Sequence, residues 1–265
     1  MNCNVALIGF GEASSTFARA AEWRGRANAW DIDRHRLTSM KACEVNAADS
    51  AAAALTDAPI ILSLVSADQA VSAALDCAPL LTEGALWCDM NSVSPDSKRA
   101  AAQVIEAHGA SYIDCAILAP VSPSGLKVPI LLAGEEADRA ASALRTLKFA
   151  NVSIVGTQVG RASTIKMVRS VMIKGVEALT DEMMEAAAAA GVVAEVLASL
   201  DTSNASQNWA ERADYNLERM ATHGARRAAE MEECARTLTA IGVDPIMTIG
   251  TAERQRRAAT TGAGL

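Results

Sequence analysis

The stretch Val5-Ala-Leu-Ile-Gly-Phe-Gly-Glu-Ala-Ser14 decides how the rest of the chain is read. Four apolar residues run into Gly9, Phe10 and Gly11, and Ser15-Thr-Phe-Ala-Arg-Ala-Ala21 follows with a helical pattern. The order is strand, tight turn, helix. Gly9 permits the backbone angles of the turn, and Gly11 lets the main chain come close to a diphosphate. The amides that open the next helix aim positive partial charge at the same place. Gly9, Phe10, Gly11, Glu12 and Ala13 are therefore the candidate seat of a nucleotide diphosphate. The third glycine of G-x-G-x-x-G is replaced by Ser14, so a side chain must fit between helix and strand. Asn28-Ala-Trp-Asp31 then places a carboxylate 22 residues after Gly9, at the end of a second strand, where a ribose ligand is expected.

A chain of 265 residues is long enough for a buried core and for two domains. It is 51% apolar but only 3% aromatic, so Ala, Leu, Val and Met fill the core, and alanine-rich runs favour closely packed helices. A net charge of −7 argues against nucleic acid, and Arg254-Gln-Arg-Arg257 reads as a solvated tail. The cysteines Cys3, Cys43, Cys77, Cys88, Cys115 and Cys234 include no C-x-x-C pair, and no secretory leader is expected ahead of the first strand. They read as free thiols in a reducing cytoplasm, with Cys88 and Cys115 as small core residues. His35, His108 and His223 are far apart, so no metal site is expected. No apolar run approaches the ~20 residues of a membrane span.

Along the chain, Arg34 to Glu44 reads as helix, Ala52 to Leu55 as a short piece, and Pro59 to Val65 as a buried strand. Ser66 opens a helix to Leu81, with Asp68 where an acid favours a helix start. Ala85 to Met90 is a strand, Asn91 to Pro95 a polar loop and Asp96 to Ala107 a helix. Gly109 to Ile117 and Val128 to Ala133 read as strands around Pro120 to Gly125. Asp138 to Leu147 is helical and Asn151 to Val155 is the last strand. Strand and helix alternate, which predicts a mainly parallel, doubly wound sheet. Arg161 to Ala190 has no proline and a single glycine, Gly175, and predicts a rod of ~40 Å. Residues 192–257 carry almost no strand signal. The expected organisation is a dinucleotide-binding domain over residues 1–160 and an all-helical substrate and dimerisation domain over 161–265, joined by the long helix. Val65, Ser66, Asn91 and Ser92 follow the carboxyl ends of parallel strands, where such sheets place their ligands.

Several patterns together resemble the β-hydroxyacid dehydrogenases, the family of 3-hydroxyisobutyrate dehydrogenase and 6-phosphogluconate dehydrogenase. Gly9 to Ser14 matches the family's opening motif, Asp89-Met-Asn-Ser-Val-Ser-Pro95 its D-M-S-T-x-S-P loop, and Gly160-Arg-Ala-Ser-Thr-Ile-Lys166 its glycine-then-lysine segment. The resemblance covers nearly the whole chain and implies a Rossmann-type N-terminal domain. It also implies that Lys166 is the catalytic acid/base, a role served when burial or a neighbouring positive charge keeps an amine partly deprotonated. One helical face then collects Lys166, Ser170, Ile173, Lys174 and Glu177.

The departures bear on the substrate. Ser170 stands where the family has asparagine, and Ile173 where 6-phosphogluconate dehydrogenase has a second acid, which disfavours decarboxylation. The family's D-A-P-V-S-G-G loop falls on Asp114-Cys-Ala-Ile-Leu-Ala-Pro120, leaving Ile117 and Leu118 where a polar cradle would be. Its K-D pair falls on Ala229-Glu230, with His223, Arg226 and Arg227 upstream as second-rank replacements. Asn91, Ile117, Leu118, Ser170 and Lys174 are the candidate substrate residues. Asp31 favours NAD by repelling a 2′-phosphate, and Ile32 stands where NADP-using relatives often place arginine. Arg34 and Arg36 keep NADP open.

The expected activity is hydride transfer between NAD(P) and a hydroxy acid or related alcohol, between the domains, with Lys166 handling the hydroxyl proton. The alternatives are an imine reductase of similar architecture, against which Lys166 weighs, and a nucleotide-binding regulatory protein without catalysis. Apolar residues around the rod, from Ile165 to Met184, predict a homodimer or larger assembly through the helical half.

Overall fold

In a computed structural model the described residues are 5–203 and 208–261. They divide into two compact units, one running to Lys166 and one starting at Met167. Cys3 lies outside the described residues.

The first unit begins β1 (Val5–Ile8), α1 (Glu12–Ala21), β2 (Ala27–Trp30), α2 (Leu37–Ala42), β3 (Asn46–Ala47), α3 (Ala51–Leu55) and β4 (Ile60–Ser63). It continues with α4 (Ala70–Cys77), β5 (Leu86–Asp89), α5 (Pro95–Ala107), β6 (Ser111–Ile117) and a single turn, α6 (Val121–Ser124). It closes with β7 (Ile130–Ala133), α7 (Ala137–Thr146) and β8 (Val152–Gly156). The strand order is β3-β2-β1-β4-β5-β6-β7-β8. The order reverses between β1 and β4, and that reversal opens a crevice at the carboxyl ends of these two strands.

Both faces of the sheet are covered, so its strands alternate between two cores instead of between core and water. Val5, Leu7, Ile60 and Leu62 point into one core, which also holds Phe17 and Phe149 in edge contact at 5.0 Å. Ala6, Ile8 and Ile61 point into the other, which Trp87 and Tyr112 fill. All pairings are parallel except β6 with β7. The connection between those two, Leu118 to Pro129, contains no full crossover helix, and the chain returns antiparallel.

Local chemistry trims several predicted elements. The helix expected from Arg34 starts as a 3-10 turn capped by Asp33, whose carboxylate accepts the His35 amide, with α2 following. The helix expected from Ser66 to Leu81 is a 3-10 turn, then α4, then a second 3-10 turn at Ala78–Leu80, because Pro79 cannot donate to the preceding turn. The piece at Ala52 to Leu55 is a helix, α3, capped by Ser50. The two-residue β3, with both side chains exposed, is an addition that no apolar pattern announces.

α8 (Arg161–Ala190) has the predicted bounds. The second unit holds most of it with α9 (Val193–Ser203), α10 (Trp209–Ala240) and α11 (Ile246–Thr261). Met167, Met231, Cys234 and Ala252 form its apolar centre. At Gly224 of α10 an added Cβ would lie 2.3 Å from the carbonyl oxygen of Gln255, so α10 and α11 approach backbone to backbone.

Candidate functional site

The glycine turn sits at the carboxyl end of β1, beside the reversal of strand order. Gly9 has φ 88°, and a Cβ there would stand 2.4 Å from the carbonyl oxygen of Leu64, so both conformation and space demand glycine. Gly11 differs: it precedes α1 with φ −82°, and a Cβ would meet no protein atom within 4 Å. No side chain caps the first turn of α1, where Glu12 and Ala13 lie. First-turn amides without a side-chain cap, next to the open space at Gly11, fit a bound diphosphate. Ser14 solves the problem of the missing third glycine. It is fully buried and donates its hydroxyl to the Gly9 carbonyl at 2.7 Å.

Asp31 closes β2 and faces this turn. One carboxylate oxygen accepts the Phe10 amide at 2.6 Å and the other accepts the Asp33 amide at 2.8 Å. Ile32 beside it is 81% exposed. Arg34 donates to the Asp49 carbonyl at 3.1 Å, and Arg36 pairs with Asp33 at 3.3 Å.

The ends of β4 and β5 are laced together by Asn91. Its amide oxygen accepts the Val65 N–H at 2.7 Å, its amide nitrogen donates to Ser63 at 3.1 Å, and its own N–H donates to Asp89 at 2.9 Å. Asn91 is thus a buried strut holding Val65. Ser66 opens the next 3-10 turn, and its side chain, after that of Gln69, helps hold the Asp68 carboxyl below the usual range. Ser92 follows, half-buried, and accepts a hydrogen bond from the Lys166 amine. The nucleotide candidates Gly9 to Ala13, Asp31, Val65, Ser66, Asn91 and Ser92 therefore gather at the carboxyl ends of β1, β2, β4 and β5, with Lys166 joined to them through Ser92.

Beneath Ser92 lies a charged group that sequence reasoning missed. Lys98 of α5 is fully buried and donates to the Asp89 carbonyl at 2.6 Å and to the Asp89 carboxylate at 3.0 Å. The Asp114 carboxylate is 3.5 Å away, an ionic contact longer than a hydrogen bond. Burial alone pulls the Lys98 amine down, but Asp89 and Asp114 outweigh it and hold the group above its ordinary value. Tyr112 donates its hydroxyl to the second Asp89 oxygen at 2.6 Å. Burial first, then Asp89, pushes that phenol well above its ordinary value of 10.0. A sequence signal existed: Lys98 lies on the same stripe of α5 as Ala101, Ala102 and Ile105, the face that packs on the sheet.

Asp114 also anchors the start of α8. One oxygen accepts the Gly160 amide at 3.1 Å, the Ser163 amide at 3.0 Å and the Ser163 hydroxyl at 3.1 Å. Lys166 comes one turn later and is half-buried.

The substrate candidates are dispersed. Ile117 packs in the core with Ile113 and Cys115, on the same face of β6. Leu118 packs at the strand end with Ala116, Ala133 and Ala162. Ser170 and Lys174 belong to the second unit, where Lys174 pairs with Glu230 at 2.9 Å and both lysine and serine are buried. Arg226 reaches the same Glu230 at 3.6 Å. Glu177, 3% exposed, is held by Arg227, by Arg219 at 3.4 Å and by Gln255 at 3.1 Å. Ile173 is 43% exposed. His223 lies on α10, one turn before Arg226 and Arg227.

The described cysteines are free and buried. Burial, then Asp76, pushes the Cys77 thiol up to about 12, and burial pushes Cys115 well above its ordinary value, so neither is a thiolate at neutral pH. Among the described residues no His, Cys, Asp and Glu cluster suits a metal ion, and no helix is long and apolar enough to cross a membrane.

Residues 4–138 match the NAD binding domain of 6-phosphogluconate dehydrogenase. The chain belongs to the β-hydroxyacid dehydrogenase family. Residues 187–258 match a family model described only as a domain of unknown function. A conserved hypothetical protein of Sinorhizobium meliloti 1021 is 37% identical, over 98% of this chain and 89% of its own, with a TM-score of 0.77. A second conserved protein of unknown function, described as structurally similar to 3-hydroxyacid dehydrogenases, is 26% identical over 98% of this chain and all of its own, with a TM-score of 0.74. The 3-hydroxyisobutyrate dehydrogenase of Mycobacterium tuberculosis, solved with L-serine, shares the fold at 16% identity. It covers all of this chain and 96% of its own, with a TM-score of 0.81.

Proposed function

We propose that this β-hydroxyacid dehydrogenase relative is an NAD(P)-dependent oxidoreductase acting on the CH–OH group of a hydroxy acid or related alcohol, with Lys166 as its acid/base. The observation that carries the reading is the hydrogen bond from the Lys166 amine to Ser92, at the same sheet edge as the glycine turn. Residues 1–160 hold the dinucleotide. The amides of α1 and the cleared space at Gly11 receive the diphosphate, Asp31 receives the ribose, and Val65, Ser66, Asn91 and Ser92 border the nicotinamide. When bound, the nicotinamide supplies the hydride acceptor for alcohol oxidation.

The chain's own part is proton handling and orientation. Lys166 takes the proton of the substrate hydroxyl as the carbinol carbon loses hydride, and returns it in the reverse direction. Ser92 fixes the amine so that its lone pair or proton meets one atom. Ser170, one turn beyond Lys166 on α8, and Lys174, one turn further, are proposed to orient the substrate's polar groups. Leu118 favours a substrate with an apolar side. NAD is the preferred dinucleotide, because Asp31 repels a 2′-phosphate, and Arg34 and Arg36 are already tied to Asp49 and Asp33.

Retention of Lys166 favours alcohol oxidation over imine reduction. A screen of NAD(H) and NADP(H) with short hydroxy acids, aryl-substituted alcohols and cyclic imines tests this against both rivals. Lys166→Ala is expected to keep dinucleotide affinity and lose turnover by roughly 10² or more. Activity within about tenfold of the parent removes Lys166 from the mechanism. Hydride transfer with the imines alone favours the imine reductase, and transfer absent from every alcohol and imine, with the dinucleotide still bound, favours the regulatory reading.

A further inference from the structure

We propose that Lys98, acting through Asp89, Asp114 and Ser163, is a positioning residue for the Lys166–Ser92 pair; the inference rests on the reading of Lys166 as the acid/base. Lys166 and Ser92 come from different elements, α8 and the loop after β5, so their separation is fixed only if those elements are fixed to each other. Lys98 does this from below. Its amine donates to Asp89 at 2.6 Å and 3.0 Å, and Asp89 in turn holds the Asn91 amide, the residue before Ser92. The same amine stands 3.5 Å from Asp114, whose other oxygen takes the Gly160 and Ser163 amides and the Ser163 hydroxyl.

One ammonium thus faces two buried carboxylates, and the second negative charge is met by the amino end of α8. Charge balance makes the arrangement stiff. If the helix start withdrew, Asp114 would lose three donors in a site from which water is excluded. If the loop withdrew, Asp89 would lose its amide partner. Lys166 lies three residues after Ser163, less than one helical turn, so a shift at Ser163 reaches its amine almost undiminished. None of Lys98, Asp89 and Asp114 is exposed to substrate, each being at most 1% exposed.

The test labels the amine directly. Purified protein without cofactor is treated with limiting acetic anhydride from pH 7 to 11. Acetylation of Lys166 is read by peptide mass spectrometry relative to the exposed Lys148. Ser163→Ala removes one contact of the tie and nothing at the reacting atoms; Lys98→Met removes its centre. Both are expected to move the Lys166 labelling profile by about half a pH unit or more. Both are also expected to lower kcat by about tenfold or more while KM for the dinucleotide changes less than about twofold. A labelling profile and kcat per folded molecule equal to those of the parent in Ser163→Ala overturn the proposal, whether or not Lys98→Met folds. Lys166→Ala in parallel separates the two ideas. If it stays active the acid/base reading fails, whereas the labelling shift still reports whether the tie positions the amine.

Discussion

The Ser14 hydroxyl donates to the Gly9 carbonyl at 2.7 Å and is wholly buried, so the residue that breaks the glycine motif is bonded to the residue that begins it. A glycine there is the family's usual solution to close packing of helix on strand; here a small polar side chain fills the space and pairs with the turn.

Restoring the motif is therefore expected to harm the protein. Ser14→Gly loses a buried hydrogen bond and places glycine in the first turn of α1, together about 2 kcal/mol. Dinucleotide affinity stays within about threefold. Urea unfolding and a fluorescence titration check both, and a variant more stable than the parent contradicts the account of Ser14.

The proposed preference for NAD rests on Asp31. Asp31→Ser is expected to weaken NAD, relieve repulsion of NADP and narrow the ratio of kcat/KM between them. A parent that already prefers NADP disproves the assignment.

Alkaline stability should report the buried phenol. Tyr112 is held protonated in the folded chain above its ordinary value of 10.0. Below that value both folded and unfolded chains keep the proton, and the stabilisation is whole. As pH rises further the unfolded chain binds fewer protons, and stability falls until pH passes the folded value. Tyr112→Phe lacks this proton. It is expected to be less stable at pH 7 by about 1.5–3 kcal/mol, the scale of a hydrogen bond to a charged group. The gap should then narrow by up to about 1.4 kcal/mol per pH unit above pH 10. Urea unfolding from pH 7 to 11 measures it, and a gap that does not change with pH refutes the prediction.

The helical unit carries Met172 at 69% exposure, Leu179 at 54%, Ile246 at 69% and Met247 at 61%. Apolar exposure on that scale is unusual for a monomer, and we propose that a second copy covers it. Light scattering at micromolar concentration is expected to give at least about twice the 27.6 kDa of one chain. A mass near 27.6 kDa defeats the proposal.

Much of this architecture is legible in the amino-acid sequence. Apolar runs such as Ile60 to Ser63 and the unbroken stretch from Arg161 to Ala190 leave few alternatives to strand and long helix. Direction is harder, because an apolar run reads the same forwards and backwards, so nothing in Ile130 to Ala133 told that β7 runs antiparallel to β6. The core placement of Ile117 follows from strand alternation with Ile113 and Cys115, whereas a match to a substrate loop carries no information about which face of β6 a residue takes. The Lys98 group was not legible as a group. Its carboxylates stand 25 positions apart on β5 and β6, and only the register that sets Asp89 beside Asp114 brings them to one amine.

The carboxylate of Glu177 on α8 takes Arg219 and Arg227 from α10 and Gln255 from α11. The close approach at Gly224 already sets α10 against α11, but α8 could slide along that pair by a turn at little cost in apolar contact. Here any such slide strands a charge in a dry interior, which costs about 3–5 kcal/mol. A single acid thereby selects one vertical alignment of α8 on that pair out of several that its alanines and methionines would tolerate.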